Sequence, residues 1–113
     1  MLDRLLRSAF AVVLPLVLCA PAASPALAGD AEAGRAKAKA CVMCHGEMGL
    51  ATNPGAPNLA GQPMVYLIEE MKNYRSGKRQ DPVMSVIAKP LTDAEIADLA
   101  AWYASIEIEI KAR

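Results

Sequence analysis

Apolar and polar positions along this chain fall into three helical patterns separated by two irregular stretches. From Asp30 an Ala/Lys/Arg-rich run predicts a helix up to about Ala40, with Asp30 as N-cap and Glu32 placing negative charge in the first turn. Gly34 inside that run costs about 1 kcal/mol relative to alanine, so it points to close contact with another helix. A second helix is expected from Pro63, which suits a first turn, to Gly77, which suits a C-cap. Leu67, Met71 and Tyr74 form its stripe at i, i+4 and i+7, flanked by Met64 and Ile68. The third start is the clearest: Thr92 and Glu95 make a capping box, Leu91 and Ile96 the matching hydrophobic staple, and Ile96, Leu99, Tyr103 and Ile106 one apolar face. Beyond it, Ile106 to Ile110 alternates with period two. A fraying extension of the helix is expected there, with an edge that docks a partner subunit as the alternative.

The irregular stretches are informative for a different reason. Glu47 to Gln62 contains Gly49, Asn53, Pro54, Gly55, Pro57, Asn58 and Gly61, which is loop chemistry. A loop of that length in a small domain wraps something. Lys78 to Pro90, with Pro82, Met84 and Pro90, reads as a second non-helical stretch, broken at most by one short turn around Val83 to Ala88. No strand pair or internal repeat is evident, so the expected class is all-α with three main helices.

The chain has 113 residues, which allows one domain, and residues 1–28 are expected to lie outside it. Arg4 and Arg7 form a basic head, Ser8 to Ala20 an apolar core, and Ala26-Leu27-Ala28 a cleavage site, the pattern of a secretory signal peptide. Removal would leave residues 29–113 as the working domain and discard Cys19. The apolar core is short for a membrane span, which needs roughly 20 residues, and no span is expected after cleavage. Without the leader the chain keeps ten basic and eleven acidic residues. That balance excludes a strongly cationic nucleic-acid binder.

Cys41-Val42-Met43-Cys44-His45 carries the chemistry. Thiols at i and i+3 can each form a thioether to one vinyl group of a haem, and the following imidazole is then held under the iron; C-x-x-C-H is a covalent haem-attachment signature. A structural zinc site wants four Cys or His ligands, and His45 is the one histidine in the chain. A thioredoxin-like pair needs a βαβ context that the flanking sequence lacks. Attachment of one haem c per chain, outside the cytoplasmic membrane, agrees with an export signal and places the protein in the periplasm.

With His45 on one face of the iron, the second axial ligand separates electron carriers from ligand-binding haems. Met43 and Met48 are too close to His45 in sequence to reach the opposite face, and Met64 and Met71 sit on the apolar side of a helix, where methionine usually fills core. Met84, in a Pro-bounded loop far along the chain, is the favoured ligand, with Met64 and an exchangeable position as alternatives. His/Met ligation favours ferrous iron and a shuttle over a catalyst.

The chain resembles the small bacterial class I c-type cytochromes, the single-haem units of periplasmic one- and two-haem proteins. Cys41-x-x-Cys44-His45-Gly46, Pro57-Asn58-Leu59-Ala60-Gly61-Gln62, Tyr74-Arg75-x-Gly77-x-Arg79, Asp81-Pro82-Val83-Met84 and Leu91-Thr92-Asp93 through Tyr103 carry the resemblance. It implies a class I cytochrome c fold, with long loops around the haem and Gly34 near Leu99 or Tyr103. It also implies a Pro57 carbonyl that accepts the hydrogen bond of His45. A diffusible electron carrier with redox protein partners in the periplasm or at the membrane, and no enzymatic activity of its own, is the leading function. The cytochrome subunit of a periplasmic dehydrogenase acting on sulfur compounds or alcohols is the second, and a haem-based sensor the third. Lys72, Arg75, Lys78, Arg79 and Lys89 read as solvated charges or as a ring that steers an acidic partner. Without haem the domain is expected to be largely unfolded, because its large apolar side chains are few.

Overall fold

The computed structural model describes residues 28–112. The signal peptide expected over residues 1–28 therefore lies, apart from Ala28, outside the described residues. Helices account for all the regular structure described: α1 (Ala31–Lys37), a 3-10 turn (Ala38–Ala40), α2 (Val42–His45), α3 (Met64–Ser76), α4 (Met84–Ala88) and α5 (Asp93–Ser105).

Local chemistry explains each boundary. The Asp30 carboxylate accepts from the backbone N–H groups of Glu32 and Ala33 and starts α1. Thr92 and Glu95 close a reciprocal capping box at the start of α5. Gly77 ends α3 in the left-handed region at φ 82°, where a side chain would be strained.

Two helices cross backbone to backbone. A Cβ on Gly34 would lie 1.9 Å from the Asp98 carbonyl oxygen, and one on Gly29 2.1 Å from that of Ala97, so α1 can approach α5 only because both positions are glycine. The Asp30 N–H donates to Asp98 Oδ1 at 2.8 Å, and Lys37 pairs with Glu95. Below the crossing, Leu67 and Ile68 of α3 meet Ile96, Leu99, Ala100 and Tyr103 of α5 in one buried cluster. Cys41 and Met64 pack at its edge.

Two expectations need correction. Met84 does not sit in a loop but opens α4, because Asp81 Oδ1 accepts from both Val83 N–H and Met84 N–H and starts a turn whose last residue, Ala88, is fully buried. The tail does not extend α5 either. Gly61 N–H, from a distant loop, donates to the Tyr103 carbonyl, and the Ser105 hydroxyl in the last turn donates to that of Trp102, so these last carbonyls are satisfied without a further helical turn. Ile106 turns to extended geometry, and Ile108 lies over Gly61.

Candidate haem site

The motif helix α2 is one turn long, and its carbonyls organise the loop that follows. Thr52 N–H and Asn53 N–H both donate to the Cys44 carbonyl, while Leu59 N–H and Ala60 N–H donate to that of Gly49. Asn58 Oδ1 accepts from Ala51 N–H at 2.7 Å. These bonds fold residues 46–62 back under α2 and bring Pro57 to His45.

His45 is 5% exposed, and its Nδ1 lies 2.8 Å from the Pro57 carbonyl oxygen. A carbonyl can only accept, so Nδ1 carries the proton and donates; in the neutral ring Nε2 then keeps its lone pair free for a metal.

A cleft runs from α2 to α4. Its wall includes Cys41, His45, Pro57, Met84, Leu99 and Tyr103, with Leu59, Leu67 and Met71 filling apolar stretches between them. With its open mouth included, it encloses about 810 Å³ of space. Of the sequence-predicted residues, Cys41, His45, Pro57 and Met84 line this cleft together. Cys44 does not line it: the side chain is half-exposed, with Sγ 4.0 Å from Asn53 Nδ2. The competing methionines separate by position. Met43 is 86% exposed and Met48 47% exposed, Met64 packs against the core cluster, and Met71 lines the cleft from the side of α3.

Electrostatics in the cleft follow from burial and pairing. Burial pushes the Cys41 thiol upward, opposed by Tyr103, and pushes the Tyr103 phenol upward further still. The Asp81 carboxyl is held below its usual range by the N–H groups of Met84 and Val83. Among the basic residues, Arg75 reaches Asp93 and the Leu91 carbonyl, Lys72 reaches Asp93, and Arg79 pairs with Glu70 and stacks 4.7 Å from the Tyr74 ring centre.

The site fits a haem. Two thiols one helical turn apart, an imidazole with a free ring nitrogen and a thioether belong to one apolar cleft and its rim. The Tyr103 hydroxyl is buried there without a hydrogen-bond partner among the described residues, as expected where a further group belongs. Both cysteines are free thiols, and the described residues hold no cluster of three or more His, Cys, Asp or Glu for another metal. Sequence reasoning placed Tyr103 on an apolar face and missed its hydroxyl; the signal was a tyrosine where phenylalanine would fill the same space. It also missed Tyr66 and Glu70 on the cleft wall, since both lie on α3 outside the apolar stripe read from the sequence.

Comparison with known proteins gives a consistent result. The family described as Cytochrome c matches residues 31–107. Cytochrome c-554(548) of Halomonas halodenitrificans is 46% identical over 83 residues, covering 71% of this chain and 100% of that protein. The crystal structure of reduced recombinant cytochrome c4 from Pseudomonas stutzeri superposes with a TM-score of 0.67 at 35% identity, over 71% of this chain and 47% of that one. A thiosulfate dehydrogenase electron acceptor of Thiomonas intermedia is 40% identical over 73 residues, covering 63% of this chain and 33% of that protein. The chain thus spans the whole of the first relative but less than half the length of the other two.

Proposed function

The chain belongs to the cytochrome c family, and from that membership we propose an exported one-electron carrier whose haem c is attached through Cys41 and Cys44 and ligated by His45 and Met84. Covalent haem c, the class I fold and electron transfer without catalysis come with the family. The residue assignments and the periplasmic location are this proposal. One observation supports the assignments above others: Cys41, His45 and Met84, remote in sequence, line one cleft.

The bound haem supplies a metal that cycles between ferrous and ferric states. The chain supplies the rest. Pro57 fixes the His45 ring and its tautomer, so the ligating nitrogen is presented without a reorientation cost. Asp81 fixes the backbone of Met84 from the other side. Leu67, Leu99 and the wall around them exclude water, which together with a soft thioether favours the reduced state. A ligand set held alike in both oxidation states keeps reorganisation small. The leader motif supports export, and no helix among the described residues is long and apolar enough to cross a membrane.

Optical spectra of the matured protein test this directly. A two-thioether haem c band in alkaline pyridine, a ferric sulfur-to-iron band near the red end, and no carbon monoxide binding by the reduced form are expected. A colourless protein after correct export, or rapid carbon monoxide binding, rejects it.

A second reading has its own support. One relative bears the name thiosulfate dehydrogenase electron acceptor, which places a sulfur-oxidising dehydrogenase among the electron donors to consider. Faster reduction by such an enzyme than by an alcohol dehydrogenase of similar potential would select it.

A further inference from the structure

Tyr103 is 4% exposed, and its hydroxyl is buried with no hydrogen-bond partner among the described residues. A buried polar atom left unpaired is destabilising, and phenylalanine would fill this volume without that penalty. The oxygen therefore calls for a partner that the polypeptide alone does not give it. Its close polar neighbour is the Cys41 sulfur: both side chains line the same cleft, and Cys41 packs against the buried cluster that contains Tyr103.

Attachment changes what that sulfur can do. A thiol can donate or accept weakly, whereas a thioether carries no proton and only accepts. The hydroxyl is then the one donor of the pair. We propose that in the mature protein Tyr103 donates a hydrogen bond to the thioether sulfur of Cys41 and so raises the reduction potential of the haem. The positive end of the O–H dipole draws electron density from the sulfur and the ring edge bonded to it. In a dry, low-dielectric site that pull is weakly screened, and it favours the form with the extra electron. Tyr103 is on this account a tuning and positioning residue that acts through Cys41.

The inference rests on attachment at Cys41, and the alkaline pyridine spectrum checks that attachment independently of Tyr103. The test is Tyr103→Phe in the holoprotein. It should keep the two-thioether spectrum and the helical circular dichroism, while the equilibrium constant for reduction against a fixed mediator falls about two- to fivefold, as expected for part of one neutral hydrogen bond. The resonance Raman band of the C–S bond should shift with it. In the unmodified protein, transfer to deuterated water should move the same band, which needs no variant to fold. A purely structural tyrosine would lower thermal stability and leave both readouts unchanged, which overturns the proposal. So does a deuterium shift seen in the propionate bands and absent from the C–S band, which would seat the hydroxyl on a carboxylate. A spectrum showing no thioether at Cys41 overturns the site assignment and this inference with it.

Discussion

Replacing Met84 by alanine removes a side chain from the cleft wall without touching His45 or the cysteines. The expected product keeps its covalent haem, loses the sulfur-to-iron band and binds carbon monoxide when reduced. Its potential should drop by on the order of 0.1 V, a fraction of the roughly 0.8 V that axial ligands command. Met64→Ala should leave both readouts in place, because that side chain packs on the core. At this scale C-x-x-C-H announced its chemistry in the sequence, since covalent geometry alone dictates the spacing. The Tyr103 hydroxyl could not be found that way, because its meaning depends on Cys41, which only folding brings near.

Element boundaries divide along similar lines. The caps at Asp30 and Thr92 and the stop at Gly77 were legible because each is a local hydrogen-bond or dihedral requirement satisfied within a few residues. The start of α4 was legible in part: a short turn around Val83 to Ala88 was expected between Pro82 and Pro90, but not the Asp81 carboxylate that accepts from the Val83 and Met84 N–H groups and sets it going. The end of α5 was misread because what stops it, Gly61 N–H on the Tyr103 carbonyl, comes from a distant loop. Thr92→Ala removes one half of the capping box and should cost about 1 kcal/mol. That corresponds to a melting temperature lower by about 4–8 °C in a domain of this size.

Glu95 sets a pH dependence on the same element. Lys37 first, then the Thr92 N–H, hold its carboxyl below the usual value of 4.5. A depressed folded-state pKa contributes stability that is fully present above the unfolded value and fades as pH falls through the folded one. Glu95→Gln should therefore be less stable than the parent at pH 7, with the gap narrowing below pH 4.5. Thermal melts at four or five pH values would show it, and a gap that stays constant into acid would contradict it.

For the molecule as a whole, the crossing of α1 and α5 is the joint on which the rest depends. Gly34→Ala drives a Cβ into the Asp98 carbonyl, which is backbone and cannot turn aside. About 3 kcal/mol of destabilisation is expected, at the upper end of overpacking costs, read as a shifted denaturant midpoint. Haem is the other support. The Cys41→Ala/Cys44→Ala protein should show little helical circular dichroism and no cooperative melt, because the cleft wall has nothing to close on. Partner steering belongs here too. With Lys72, Arg75 and Arg79 already paired to Asp93 and Glu70, electron-transfer rates should fall only modestly between low and physiological ionic strength. A steep fall would show that these pairs open for a partner.

The bond from Asp30 to Asp98 joins positions 68 residues apart, and it has a consequence for assembly. A polypeptide is made from its amino end, so α1 waits for almost the entire remaining length before its mate exists. Throughout that interval nothing from α5 can cover Cys41, whose final resting place is against the cluster that α5 completes. Attachment is expected after export, on a chain that stays open until it holds its haem, so Cys41 remains within reach of an incoming macrocycle until α5 seats against it, and that last docking shuts the door on chemistry already done.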